Sequence, residues 1–490
     1  MDIEIEHLSY RYKEGEPLIL DDIHLRIASG EWLLISGRSG CGKTTLAYAI
    51  AGFLYHQKTG TYAGRVRIGE KNIEDLPLYQ IADAVGFVQQ NADDQFCTLN
   101  VAEEVAFGLE NKCVPPAEMK ARIADSMRVT GIEALYERSL YELSGGEKQK
   151  VAIASVLALQ PSILMLDEPT SNLDLKSARM IFEVLAKLQQ THQLTVIIIE
   201  HKVSLFQDLF KRCVHLENGK ITFDGPITQS PFSNASLKLF PKGNKGETVG
   251  RAPILELKDW SCQYGNDFRL AIDALEIYSG EIIALVGANG SGKTTLLKSL
   301  AGLVGAQNGQ LTFRGAVLPM VPLPQIGLVF QNADEQIFMN TVLDEVTYGL
   351  KNFHLHDDLH ARQMQMLFDQ FGLSGKASTN PHQLSYGEKK RLNLISTLVL
   401  APCILLLDEI FIGQDMYLVN FILERLCLLR NQGVTVIAAI HDPAMMHRMA
   451  DRILFLEDGK MRFCLPLQQA LIWWQVNGYR DYLLEKELRI

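Results

Sequence analysis

The opening residues MDIEIEHLSYRY place apolar side chains at alternate positions, the two-residue period of a strand with one buried face. Further on the apolar residues run together: WLLISG, ILMLD and TVIII before residue 200, IIALV, ILLLD and TVIAA after residue 280. Runs this short and this rich in Ile, Leu and Val are expected of parallel strands buried on both faces. Between them KTTLAYAIAGFL, KTTLLKSLAGL and VPPAEMKARIADSMRVTGIEAL carry apolar residues at helical spacing. Strands alternating with helices predict an α/β fold on a parallel sheet.

The pattern occurs twice. GRSGCGKTT and GANGSGKTT place Lys43 and Lys293 250 residues apart; VGFVQQNADDQF and IGLVFQNADEQIF, LSGGEKQK and LSYGEKKR, ILMLDE and ILLLDE, VIIIEH and VIAAIH follow at 240 or 241. A near-constant offset over ordered segments marks a duplicated domain, with one loop of the second copy about nine residues shorter. Residues 225–253, rich in Pro, Ser, Gly, Asn and Lys and without periodicity, read as a linker. The expected organisation is a first domain at 1–224, that linker, a second domain at 254–465 and a tail at 466–490. In the tail, Trp473 and Trp474 beside Leu471, Leu483 and Leu484 suggest an amphipathic helix packed on its own domain.

Composition narrows the classes. A chain of 490 residues, 47% hydrophobic and 21% charged, is expected to fold as two or more globular domains. Its formal charge of -10 argues against nucleic acid as a partner. The eight cysteines have no paired short spacing and read as reduced side chains of a cytoplasmic protein. The N-terminus has neither a basic leader nor an apolar core, so the mature chain is expected to begin at Met1. No run approaches the roughly 20 apolar residues that a membrane helix needs, so any pore must be supplied by another polypeptide.

Two segments fit G-x-x-x-x-G-K-T, the phosphate-binding loop between a strand and a helix. Gly37, Ser39, Gly40, Gly42, Lys43, Thr44 and Thr45 form the first; Gly287, Asn289, Gly290, Gly292, Lys293, Thr294 and Thr295 form the second. Backbone N–H groups would wrap the phosphates, the lysine neutralise them and the first threonine hydroxyl bind magnesium. One such match could be a glycine-rich turn; two in register point to nucleotide. Asp167-Glu168 and Asp408-Glu409 end apolar runs, where parallel sheets hold ligands. The aspartates suit a magnesium ion and the glutamates suit polarisation of an attacking water.

LSGGE (Ser144, Gly145, Gly146) and LSYGE (Ser385, Gly387) resemble the signature of ATP-binding-cassette (ABC) proteins. The resemblance covers nearly the whole chain and implies two P-loop NTPase ABC domains. Each would have a parallel-sheet core, an antiparallel β subdomain and an inserted helical subdomain, with ATP and Mg2+ as ligands. It further implies that each signature completes the phosphate pocket of the opposite domain, head to tail. By the same resemblance Tyr12 and Tyr264 stack on adenine, Gln90 and Gln331 are Q-loop glutamines near the metal, His201 and His441 contact the γ-phosphate, and Asp174 and Asp415 are D-loop aspartates. The second half departs from the pattern. Tyr386 stands where the first half has Gly145, and Ile410-Phe411 replaces Pro169-Thr170, so two working sites of unequal rate are expected.

Asn91-Ala-Asp-Asp-Gln95 and Asn332-Ala-Asp-Glu-Gln336 resemble the N-P-D-D-Q segment of energy-coupling-factor ATPases, with alanine for proline. That resemblance implies an importer of a vitamin, vitamin precursor or transition-metal ion, peripheral on the cytoplasmic face of the membrane. Its partners would be a transmembrane coupling subunit and a small membrane protein that binds the solute. A monosaccharide-importer ATPase would lack this segment. A ribosomal ABC translation factor would want a long charged linker and a basic surface, and a DNA-repair ATPase would want zinc or coiled-coil insertions.

Overall fold

The structure is a computed structural model that describes residues 1–38, 40–56, 60–170, 178, 180–183, 185–186, 194–200, 209–230, 252–264, 268–318, 321–355, 358–411, 414, 416–440 and 442–484, with the side chains of Tyr264, Phe268, Met416 and Tyr417 outside that description. The chain divides into two compact units, with the main break after residue 237.

In the first unit, β1 (Ile3–Arg11), β2 (Leu20–Ile27), β4 (Thr61–Ile68) and β5 (Lys71–Asn72) make an antiparallel sheet in the order β2-β1-β4-β5. A second sheet runs β10-β9-β3-β8-β7-β6, from β3 (Trp32–Gly37), β6 (Val85–Val88), β7 (Ile163–Asp167), β8 (Thr195–Ile199), β9 (Arg212–Glu217) and β10 (Lys220–Pro226). All its pairings are parallel except β10 with β9. The apolar runs are its central strands, and alternate residues of one strand enter different cores. Leu33, Ile35, Ile163 and Met165 join one cluster; Leu34, Leu164 and Leu166 join the other. That two-sided burial is why these strands carry no polar alternation. The strand Lys220–Pro226 and the short turn Ile227–Gln229 carry the first unit past residue 224, where composition had suggested the linker begins. Proline and glycine at 225–226 serve a strand end there, a role that composition alone does not separate from a linker.

The second unit repeats the order. Its strands are β11 (Leu255–Tyr264), β12 (Phe268–Ile277), β13 (Ile282–Val286), β14 (Asn308–Phe313), β15 (Ala316–Val317), β16 (Ile326–Val329), β17 (Ile404–Leu407), β18 (Thr435–Ala439), β19 (Arg452–Glu457) and β20 (Lys460–Pro466). They form one sheet, β15-β14-β11-β12-β20-β19-β13-β18-β17-β16, joined by the Ala271 and Lys460 pair. The joining bond, Ala271 N–H to the Gly459 carbonyl at 2.8 Å, has its counterpart in Asp21 N–H to the Gly219 carbonyl at 2.9 Å.

Each unit carries a helical insertion between its β6 or β16 and the strand that follows. In the first, Val101–Asn111, Pro116–Thr130 and Gly145–Ala158 pack around Val101, Val105, Met127, Leu140 and Val151. Pro116 suits the start of its helix, and Gly131 ends it at φ 66 in the left-handed conformation. The second insertion has Val342–Asn352, Asp358–Gln370 and Tyr386–Leu398. At the chain's end the helix Leu467–Asn477 buries Leu467, Ala470, Leu471 and Trp474. Trp474 stacks on Tyr482 at 4.9 Å and meets the Phe455 ring edge-on at 5.6 Å, so the tail packs on the strands of its own unit. No helix among the described residues is long and apolar enough to cross a membrane.

Candidate functional site

The same arrangement is built once in each unit, at the C-terminal ends of the parallel strands. β3 and β13 run into loops that turn at Gly42 (φ 105) and Gly292 (φ 104) and enter the helices Lys43–Ile50 and Lys293–Leu300. The first glycine of each loop is dictated by crowding. A Cβ on Gly37 would lie 2.4 Å from the Leu216 carbonyl oxygen, and one on Gly287 would lie 2.4 Å from that of Leu456. Gly287→Ala is therefore expected to lower the unfolding free energy of the second unit by about 2 kcal/mol, measured by urea denaturation; an unchanged midpoint would refute the crowding. Gly40 and Gly290 hold φ 77 and 78, a conformation that favours glycine, and a Cβ on either would meet nothing within 4 Å.

Lys43 and Lys293 are buried, and each curls its ammonium over its own loop. Lys43 Nζ donates to the carbonyls of Gly37 and Arg38 at 3.0 and 2.9 Å, and Lys293 Nζ to those of Gly287 and Ala288 at 3.0 and 3.1 Å. Beside them Thr44 Oγ1 donates to Asp167 Oδ2 and Thr294 Oγ1 to Asp408 Oδ2, both at 2.8 Å. Thus residues 114 to 123 positions apart meet at one point.

Magnesium fits this point on an observation in the second unit. Asp408 Oδ1 is buried without a hydrogen-bond partner among the described residues, and burial, then the neighbouring Glu409, pushes the Asp408 carboxyl above its ordinary range. A hard cation that takes carboxylate and hydroxyl oxygens removes that penalty. Thr294 and Asp408, and by symmetry Thr44 and Asp167, would hold it.

Glu168 and Glu409 follow the aspartates in a left-handed conformation, φ 46 and 48, unusual for a residue with a side chain. Such strain, on the order of 1 kcal/mol or more, persists where surrounding structure imposes it. It turns each glutamate off the strand axis. In the first unit Glu168 Oε2 accepts from Gln90 Nε2 at 2.7 Å; in the second Glu409 Oε1 lies 3.8 Å from Lys293 Nζ. Tyr12, partly exposed, bonds through its hydroxyl to Thr45 Oγ1 at 3.1 Å, which fixes the ring against the loop helix. Tyr264 ends β11, and Asn289, Thr295 and Gln331 lie on the second loop, its helix and the segment after β16. Ser39, Asp174, His201, Asp415 and His441 lie outside the described residues.

The signature serines cap helices. Ser144 and Ser385 are exposed N-caps whose side chains accept from the N–H groups of Glu147 and Glu388, while those glutamates accept from the serine N–H. This capping box leaves the exposed helix start, with Gly145 in one half and Tyr386 in the other, pointing to solvent.

Three features were not legible as site residues. The first is how the N-A-D-D-Q segment is held. Asn91 Oδ1 accepts from Asp93 N–H, Gln95 Oε1 accepts from Gln89 N–H at 3.1 Å, and Asp93 pairs with Lys148, just past the signature, at 2.6 Å. The second unit repeats each bond, with Asp334 and Lys389 at 2.7 Å. The second is a buried glutamate in each insertion. Glu104 Oε2 accepts from the N–H groups of Cys97 and Thr98 and from the Thr98 hydroxyl; Glu345 Oε2 accepts from the N–H groups of Phe338 and Met339. Glu104→Ala would strand three donors and is expected to cost about 3 kcal/mol of unfolding free energy, read from chemical denaturation; a loss near zero would show that the loop finds other acceptors.

The third is Lys390, which replaces the first unit's Gln149. It is buried on the signature helix, donates to the carbonyl of Gln331 and, at 3.4 Å, to that of Phe330, and lies 5.6 Å over the Tyr386 ring. Burial pulls its ammonium down to about 8, against the attraction of Asp408 and Glu409. The departure at Phe411 is part of a paired exchange. In the first unit the Thr170 hydroxyl bonds the buried Glu200 carboxylate; in the second, Phe411 and Ile440 fill the matching positions as buried apolar residues.

The ABC transporter family model matches residues 20–171 and 271–411, more than half of the chain. A protein of Methanosarcina mazei, provisionally named an ABC transporter ATP-binding protein, is 34% identical over 476 residues, 94% of each chain. YkoD of Bacillus subtilis, provisionally named an HMP/thiamine import ATP-binding protein, is 32% identical over 501 residues, 94% of this chain and 91% of its own. Among solved structures, an archaeal ribosome recycling factor, aABCE1, in complex with the stalk protein aP1, is 20% identical with a TM-score of 0.66, covering 96% of this chain and 92% of that one; this likeness speaks for the fold. Two phosphate loops, two acidic pairs and two signatures in the same order, on a chain matched twice by one family model, make it a tandem ATP-binding protein of the ABC transporter family, with ATPase domains of the ABC fold.

Proposed function

We propose that the chain is the ATP-hydrolysing subunit of an energy-coupling-factor importer, driving uptake of a vitamin, vitamin precursor or transition-metal ion through separate membrane proteins. The observation that carries this reading is the braced N-A-D-D-Q segment, present in both halves and tied at one end to the residue beside the Q-loop glutamine and at the other to the signature helix through Asp93–Lys148 and Asp334–Lys389. Such a brace transmits a shift of the glutamine loop to the signature. Next to it each unit exposes apolar side chains of its own, Leu99 and Phe107 in the first and Phe338, Leu343 and Tyr348 in the second, which suit a membrane partner. The similarity to YkoD over nearly its whole length supports the same class of cargo.

In this reading each signature faces the phosphate loop of the other half. Lys293, Asp408 and Glu409 work with Ser144, Gly145 and Gly146; Lys43, Asp167 and Glu168 work with Ser385, Tyr386 and Gly387. Lysine and loop N–H groups hold the β- and γ-phosphates, magnesium supplies charge neutralisation when bound, and the glutamate accepts a proton from the attacking water. His201 and His441 contact the γ-phosphate, Tyr12 and Tyr264 the adenine, and Gln90 and Gln331 lie near the metal, at the contact with the membrane subunit.

Affinity purification of the full chain from detergent-solubilised membranes tests the assignment. Small hydrophobic proteins are expected to co-purify in stoichiometric amount; recovery of ribosomes instead would overturn it in favour of a translation factor.

A further inference from the structure

We propose that His7, Asp22 and His24 form a binding site for a divalent transition-metal ion of the zinc type, on the antiparallel sheet of the first unit and apart from the nucleotide chemistry. His7 Nδ1 and His24 Nε2 approach the same oxygen, Asp22 Oδ1, at 2.9 and 3.2 Å, and their ligand atoms all lie within 4.8 Å of one another. Ligands bound at 2.0–2.1 Å around a tetrahedral zinc sit about 3.3 Å apart, so these spacings suit a shared cation with little rearrangement. The ring centroids are 4.0 Å apart and nearly perpendicular, which lets each nitrogen address the carboxylate without the rings colliding. Two protonated imidazoles at that separation would repel; two neutral ones with a carboxylate make a donor set that selects zinc, nickel or copper over magnesium.

The backbone is shaped for this meeting. Pairing of β1 with β2 slips between Ile5 and Leu8 and slips back between Leu8 and Tyr10, opposite Asp22 at φ 53, whereas His7, also at φ 53, sits at the β1–β4 bulge between Glu6 and Ser9 that the second unit repeats at Asp259, φ 45. Asp22 N–H is held by Ser9 Oγ at 3.0 Å. The second unit is an internal comparison: β11 and β12 pair in constant register from Leu255↔Ile277 to Tyr264↔Phe268, and the matching positions are Asp259, Ile272 and Ala274. The slip on β2 and both imidazoles thus belong to the first unit alone. All three side chains are exposed, with relative accessibilities of 74%, 62% and 50% for His7, Asp22 and His24, so an ion has free access and substitutions there leave the core intact.

Zinc titration of the full chain by isothermal calorimetry, without nucleotide or magnesium and with the exposed Cys97 and Cys113 replaced by serine, tests the site. One equivalent is expected to bind, with His24→Ala and Asp22→Asn each weakening it by at least about tenfold and Asp259→Asn leaving it unchanged. Circular dichroism melts show whether the variants fold as the parent does. A one-equivalent event that survives both His24→Ala and Asp22→Asn, or the lack of any saturable event in the parent, would overturn the proposal.

Discussion

Glu409→Gln is expected to cut steady-state ATP turnover on the order of a hundredfold, the scale at which a positioned general base contributes, whereas Glu168→Gln is expected to leave a clearly measurable fraction. Both glutamates share the strained left-handed backbone and follow an aspartate bonded to the phosphate-loop threonine. The difference lies in the partner signatures under the head-to-tail reading. Glu409 would work against Ser144-Gly145-Gly146, a helix start with no side chain over its first N–H groups. Glu168 would work against Ser385-Tyr386-Gly387, where the exposed Tyr386 ring occupies the first helical position and is pinned by the Lys390 ammonium at 5.6 Å. A side chain there crowds the approach of a phosphate to backbone N–H groups. Turnover of the two single variants under saturating ATP reads the asymmetry directly, and equal losses would contradict it.

Lys390→Met is expected to lower ATPase activity by on the order of tenfold, about 1.4 kcal/mol of lost positioning, while the melting temperature stays the same or rises. A buried lysine whose ammonium is pulled down to about 8 is disfavoured in its charged form by the fold that contains it. Replacing such a group by an apolar one of similar length removes that penalty. What the variant loses is the tie from the signature helix to the carbonyls of Phe330 and Gln331. Lys390→Gln, which restores the residue found at Gln149, is expected to retain most activity. Thermal melts and turnover measured together decide the matter: a parallel fall in both would make Lys390 a purely structural residue.

Much of the fold was readable because its signals are local and doubled. Unbroken apolar runs such as ILMLD and ILLLD demand burial on both faces, and their repetition at a fixed offset made each reading check the other. The phosphate loops and acidic pairs were legible for the same reason, since their residue types have few other uses at that spacing. What stayed hidden depends on contacts across distance. Nothing in EKKR says that Lys390 turns inward to the end of β16 whereas its neighbour Lys389 turns outward to Asp334. Nothing in VIIIEH says that Glu200 is buried against Thr170, or that Ile440 and Phe411 changed together in the other half. The His7, Asp22 and His24 cluster needs a register slip that the alternation of MDIEIEHLSYRY conceals. The linker boundary was misplaced because glycine and proline mark strand ends as well as flexible segments.

The central claim is that each half grips one ATP through its own phosphate loop. Equilibrium binding of radiolabelled ATP with magnesium to the Glu168→Gln, Glu409→Gln chain, in which hydrolysis is suppressed, measures this directly. Two nucleotides per chain are predicted, falling to one when either Lys43 or Lys293 is also replaced by alanine; a chain that binds none, or whose binding ignores both lysines, would contradict the account.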